Sequence, residues 1–474
     1  MAATNAVTGT ITLLGGILAD GVFGDYWSIV LAVSVFYIPG FILTWLTTFP
    51  GLFGTYFNLD ILKAGSLVLI PVGAGLFECC ISVFGAKQYH PILQAAQIEQ
   101  YYLLFYVAVT IGSAIATLVV PILAQHNLEV AYAVPAFGFI IAFAVFLVFS
   151  NRYVKKPPER KALVDTFKLI GKTTIRCKSL NKFKKSHGGN VSDSFVDGVR
   201  RLLFIAPLSM LTLPFDCALN QMSTVFLFQG NAMRTVATIF DSSSMYSFGR
   251  FAVVIASAIV GTFVYPALKK RGIRLSLATK ISIGTFSGAI SMLVAIIIQS
   301  KIRHAYLKDG SRISILWQIL SYSFIGIGEV FAVTTMYEAT FIIAPKEQKA
   351  LAAAIQNFCS FGLSEYICMG LQKVFALWFP DPDISNKTEA WVASGMTKYL
   401  WVLFGIMIFG TILTLIPLIR NWLESLREDA IEATVLSESS TGKDEHEHEV
   451  EDAVKETALS ESTRLLAYTN TNTK

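Results

Sequence analysis

Gly328-Glu329-Val330-Phe331, Tyr337-Glu338-Ala339 and Ala344-Pro345-Lys346 follow one another along an apolar run, Ile315 to Ile343, long enough to cross a bilayer. The run carries two carboxylates. An ionisable side chain at membrane depth costs roughly 2.5–3.5 kcal/mol on insertion scales, so it is retained beside a partner, a cavity or a solute. Two readings stand for Glu329 and Glu338: part of a transport pathway, or an acid that caps or buttresses a helix near the interface.

The rest of the chain agrees with a membrane setting. It is 54% hydrophobic and 15% charged, with a mean hydropathy of +0.56, outside the range of soluble domains. Cys79, Cys80, Cys177, Cys217, Cys359 and Cys368 show no metal-ligand spacing, and five lie in apolar runs as small buried hydrophobes. His90, His126, His187 and His304 fall in loops, and His446 and His448 in an acidic tail. No phosphate-binding glycine loop or hydrolytic triad is present, which argues against an enzyme or an ATP-driven pump. No cofactor, metal or nucleic acid is expected.

Apolar runs of spanning length lie near residues 8–22, 28–49, 63–85, 101–123, 130–150, 202–228, 244–267, 278–299, 314–343, 350–375 and 398–420, eleven spans. Residues 151–201 carry fourteen Lys and Arg against four acids, which places this connector in the cytoplasm. Lys269, Lys270, Arg271 and Arg274, then Lys346 and Lys349, mark further cytoplasmic loops. Alternation puts the N-terminus outside and the tail inside. The sequon at Asn386 then lies outside and that at Asn190 inside.

Four regions follow: an N-terminal transmembrane half at 1–150, a basic cytoplasmic connector at 151–201, a C-terminal half at 202–426, and an acidic disordered cytoplasmic tail at 427–474. Five spans precede the connector and six follow it. With no cleavable signal peptide and a first run already holding Gly15, Gly16 and Asp20, an original first span is expected to be missing. In the connector, Leu163, Phe167 and Ile170 recur at helical spacing among Lys161, Lys168 and Lys172, either as a basic amphipathic helix on the inner leaflet or as a solvated linker. Glu461 to Leu466 has the form of an acidic dileucine signal for a sorting adaptor, consistent with a plasma or endolysosomal/vacuolar membrane.

Six plus six helices around a basic loop resemble the major facilitator superfamily, whose loop motif is similar to Gly16-Ile17-Leu18-Ala19-Asp20-Gly21-Val22-Phe23-Gly24. More specific segments resemble the proton-dependent oligopeptide transporter family. They are Ser82-Val83-Phe84-Gly85-Ala86-Lys87-Gln88-Tyr89, Phe105-Tyr106 with Ile111-Gly112-Ser113, Asn151 to Pro158, Asn220-Gln221-Met222-Ser223 with Phe226 and Gln229, and Gly328 to Pro345. The resemblance covers roughly residues 11–420. It implies an all-α membrane protein, a major-facilitator-type bundle of two helical halves that carries di- or tripeptides or related nitrogenous solutes by alternating access, driven by protons.

The departures from the family pattern carry their own chemistry. The family's first-helix E-x-x-E-R motif has no counterpart here. Its fourth-helix lysine falls on Glu78, a nearby small polar position on Cys80, the fifth-helix Asn on Thr110, and the seventh-helix acid on Asn220, next to Gln221. The tenth-helix acid that receives a peptide's amino terminus is retained as Glu338. A zwitterion in a low-dielectric pocket needs a fixed anion and a fixed cation. Arg250 is the only cation offered as a substitute, unless it snorkels to the outer interface. Glu78 either faces the pathway, where two acids suit a cationic or amine-bearing solute or proton uptake, or pairs with Lys87 as a structural residue. Asp216 lines the cavity or caps a helix break, and Glu365 faces the pathway or a neighbouring hydroxyl. Asp20 is read as a gate element, so the coupling or gating candidates are Glu78, Glu329, Glu338, Asp20 and Asp216. Two alternatives remain: a divergent carrier for an amino acid, a cationic metabolite or nitrate, and a non-transporting truncated isoform or sensor.

Overall fold

The computed structural model describes residues 2–54, 57–90, 94–176, 179–236, 242, 244–272, 275–381 and 383–439. Arg274, Cys177, His446, His448 and the Glu461–Leu466 signal lie outside the described residues. Almost all of the rest is helix, and the described residues hold no strand beyond two isolated bridges. In lipid every backbone amide and carbonyl must be satisfied within the span, which leaves a helical bundle as the solution for long apolar runs.

Eight helices among the described residues are long and apolar enough to cross a membrane, or nine if a bent pair counts as one span. The sequence reading expects eleven, and the difference has two physical causes. The helix Thr4–Leu46, at 43 residues, is counted once, yet its direction reverses at Gly24, whose φ of +78° only glycine adopts readily. We call its arms α1 (residues 2–23) and α2 (residues 24–46). Both pack on α3 (Leu59–Ala86). Along α1, Ile11 lies against Gly75 and Gly15 against Cys79, a parallel pairing; along α2, Tyr37 meets Gly73 and Gly40 meets Ile70, an antiparallel one. The second cause is α11, below, whose polar side chains lower its hydropathy.

The chain continues through α4 (Ala95–His126), α5 (Leu128–Val148) and the connector helix α6 (Arg160–Arg176). Next comes α7 (residues 193–231), in which Asp193–Met210 and Leu213–Asn231 meet at 48° just before Pro214. Proline at the first turn of the second segment removes an amide that could not have bonded across the break. Then come α8 (Met245–Leu268), α9 (Leu277–Asp309), α10 (Gln318–Ile343), α11 (residues 349–374), α12 (Met396–Leu415) and α13 (Pro417–Ser439). With α11 included, the described residues form eleven helices of spanning length. Ser276 caps the start of α9 by accepting from the amide of Thr279, and Gly310 ends that helix at a φ of +67°. The sequon residue Asn386 is itself the N-cap of the short helix Lys387–Ala393. Helix α13 carries on through Glu428 to Ser439 and buries Ala430, where the sequence reading expects disorder.

Lipid tails are as apolar as leucine, so helices in a bilayer associate by close packing and hydrogen bonding. The helices of residues 1–150 meet those of 202–426 along two antiparallel pairs that follow this rule. On α1 and α11, Gly9 lies against Gly362 and Gly16 against Leu351 and Ala354. Asn5 Nδ2 donates to Glu365 Oε1 at 2.9 Å, and Thr12 Oγ1 to the carbonyl of Ala354 at 3.3 Å. On α4 and α8, Ser247 Oγ donates to Thr117 Oγ1 at 2.9 Å. Helix α5 shows the opposite character: Ile141 and Val148 are 64% and 76% exposed, a surface for lipid.

A Cβ on Gly9 would collide with the Cα of Gly362. Gly9→Leu is therefore expected to lower the thermal unfolding temperature by several degrees, from overpacking of about 1–3 kcal/mol. Gly138→Ala on α5, with nothing within 4 Å of its Cβ, should leave it unchanged or slightly raised; a fluorescence thermal-shift assay in detergent reads both.

Candidate functional site

Glu329 and Glu338 lie nine residues apart on α10, two and a half helical turns, so they leave opposite sides of the helix. Glu329 is buried and accepts from Tyr106 Oη of α4 and from Arg250 Nη1 of α8, the latter at 2.7 Å. Arg250 Nη2 donates to Tyr246 Oη at 2.7 Å, and its guanidinium sits 4.8 Å from the centre of that ring. Arg250 thus neither snorkels nor stands in the cavity as a free cation. It is 9% exposed and spent on Glu329, because two charges removed from water hold each other far better than either could be held alone.

Glu338 is also buried, and Lys280 Nζ of α9 lies 3.2 Å from its Oε2. Lys280 is therefore a second cation at membrane depth, where the sequence reading offers Arg250 alone. It lies only four residues past the cap Ser276 and was absorbed into an apolar run. The signal that could have found it is charge balance, since two acids on one span call for two cations.

Glu78 on α3 is exposed, unlike the α10 acids. The alternative pairing with Lys87 is not formed: Lys87 Nζ bonds Asp25 Oδ2 at 2.6 Å and approaches Asp20 Oδ1 at 3.8 Å. Glu78 lies within electrostatic reach of Tyr37 and of Tyr337 on α10. The ring of Tyr337 stacks on Tyr102 at 6.2 Å and 4° and tilts against Tyr106 at 6.4 Å, an aromatic group drawn from α4 and α10.

The remaining candidates are taken up by local and core contacts. Gln221 is fully buried, with Nε2 donating to the carbonyl of Cys217 and to Cys368 Sγ and Oε1 accepting from Thr224. Asn220 Nδ2 donates to Ser364 Oγ at 3.1 Å. Thr110 bonds back to the carbonyl of Tyr106 on its own helix. Cys80 is buried in the core between α1, α3 and α4, its thiol directed to the carbonyl of Leu76. Asp216 sits at the break in α7 and accepts from Thr212 Oγ1 at 3.1 Å.

Asp20 occupies the turn between α1 and α2. Its Oδ2 accepts from the amide of Leu351 at 2.7 Å, a carboxylate on the first turn of α11 where the helix dipole favours negative charge. Its own carbonyl accepts from the amide of Glu159 ahead of α6. The turn borders a small cleft shared with Asp25, Lys87, Glu159 and Lys346. Asp20 therefore ties both halves and the connector together on one face.

A family profile described as PTR2, POT family, matches residues 26–380. A Caenorhabditis elegans protein named Peptide transporter family 2 is 26% identical over 323 residues, which cover 60% of this chain and 40% of that protein. The chain thus spans well under half of that relative's length. An Arabidopsis thaliana protein, Protein NRT1/ PTR FAMILY 8.1, is 25% identical over 427 residues, covering 75% of this chain and 74% of its own. A crystal structure of the POT family transporter PepTSo superposes with a TM-score of 0.66 at 21% identity, covering 90% of this chain and 89% of that one. The fold is accordingly a major-facilitator-type helical bundle.

Removing one member of a buried pair leaves the other charge uncompensated, at about 3–5 kcal/mol. Arg250→Met is thus expected to lower the unfolding temperature sharply, and Arg250→Met with Glu329→Met to recover most of the loss. Double-mutant thermal unfolding in detergent measures the coupling; additive losses would show that the pair does not interact.

Proposed function

The chain belongs to the POT family, a family of multi-pass membrane transporters, and on that premise we propose that it is a secondary active carrier. Its proposed solutes are di- or tripeptides or related nitrogenous compounds, taken up with protons. The observation that carries this reading is Glu78, a carboxylate within the apolar helix α3 that stays exposed while the acids of α10 are held in buried ion pairs. A protonated amine set over the part-exposed ring of Tyr337 gains a cation–π term of about 0.5–2 kcal/mol.

Alternating access requires two bodies that part and re-form their contacts. Residues 1–150 and 202–426 supply these bodies in this proposal, with 151–201 as the connector and 427–474 as the tail. The links between the bodies are hydrogen bonds and glycine contacts that can be exchanged for water. The charge pairs Arg250–Glu329 and Lys280–Glu338 stay within the second body.

A second reading rests on Lys280. The acid that the resemblance assigns to a peptide ammonium already holds a lysine ammonium 3.2 Å away. That favours a solute whose amine is received by Glu78, an amino acid or cationic metabolite among them.

Purified protein in liposomes under an inward proton gradient tests both. Labelled dipeptide should accumulate, and Glu78→Gln should abolish accumulation while a size-exclusion profile stays unchanged. Accumulation of a cationic amine but of no dipeptide would select the second reading. Transport of neither would overturn the assignment.

A further inference from the structure

Helix α6 has two faces. Leu163, Thr166 and Leu169 are buried. Leu163 fills the space beside Gly21 in the α1–α2 turn, and Thr166 Oγ1 receives Gln348 Nε2 at 2.6 Å from the loop before α11. Leu169 packs with Val196 and Val199 of α7. At 3.6 residues per turn these three share one side of the helix. Leu163 and Ile170, which the sequence leaves to either a leaflet-facing helix or a solvated linker, belong to this packed side.

The opposite side is exposed. It carries an apolar strip, Val164 and Phe167 at 40% and 47% exposure, and beside it a row of lysines, Lys161, Lys168 and Lys172. Asp165 reaches Lys168 at 3.6 Å in an exposed pair, and such pairs contribute little. The row is about 16 Å long at 1.5 Å per residue. Cations flanking exposed aromatic and aliphatic side chains fit an acidic, partly apolar peptide.

We propose that this face receives residues 440–456 of the same chain. Helix α13 ends at Ser439, and its Leu423, Leu426 and Ala430 share one apolar cluster with Leu163 of α6, so the two helices lie on the same face of the protein. Beyond it come Asp444, Glu445, Glu447, Glu449, Glu451 and Asp452, interspersed with His446 and His448, flanked by Lys443 and Lys455, and with Val450 and Val454 as apolar neighbours; acids outnumber lysines in the segment. An extended chain covers about 3.3–3.6 Å per residue, so this block can reach roughly 17–45 Å from Ser439.

Zero-length carbodiimide cross-linking of the full chain in neutral-lipid nanodiscs, followed by peptide mass mapping, tests the docking. Amide bonds are expected between the amines of Lys161, Lys168 or Lys172 and the carboxylates of 444–456. They should fall at least about fivefold in 1 M salt, where the screening length drops from about 8 Å to 3 Å. The combined Lys161→Ser, Lys168→Ser and Lys172→Ser variant should keep its unfolding temperature and move the tail's links elsewhere. Three results would overturn the proposal: no link from these lysines to 440–456, links only between isotopically distinct chains, or lysine protection that appears only with phosphatidylserine.

Discussion

A carboxylate in a bilayer needs a cation beside it, and α10 holds two such carboxylates. Arg250 on α8 and Lys280 on α9 answer them from opposite sides. These two pairs fix α8, α9 and α10 as one body, since sliding any of them would strand a charge at several kcal/mol. The serine bonds between α9 and α10, from Ser287 to the carbonyl of Phe324 and from Ser291 to that of Ser321, work within the same constraint.

The contacts that cross between the halves are of a different kind. Tyr106 gives Glu329 a neutral hydroxyl, and Glu329 keeps Arg250 when that hydroxyl leaves. Thr117 with Ser247 and Thr12 with Ala354 are likewise neutral. Asp20 crosses the boundary with a charge, but it does so at the end of the helices, beside Lys87, where water can replace the Leu351 amide. A bundle built this way resists coming apart within the second half, where its buried charge pairs lie.

Several features were legible in the residues alone. The apolar runs and their lengths mark the spans, and the basic connector divides five from six. Glu329 and Glu338 stand out because charge at that depth demands a reason. Less was legible about faces. Gln221 and Cys80 have the right chemistry at plausible depth, yet helical rotation turns both into packed interfaces. The sequence leaves α6 as either a leaflet-facing amphipathic helix or a solvated linker, whereas the fold packs Leu163 into the protein and leaves Phe167 and the lysines exposed. The apolar runs 8–22 and 28–49 stand apart in the sequence, and the fold turns between them at Gly24.

Length, hydropathy and the spacing of the motifs were enough to establish a multi-pass membrane protein of this family, since those properties belong to contiguous segments. Partnership is another matter. Arg250 meets Glu329 across 79 residues of sequence and Lys280 meets Glu338 across 58, and Lys87 chooses Asp25 over the nearer Glu78. Which cation answers which acid depends on the rotation and register of separate helices, and those are fixed only when the helices pack.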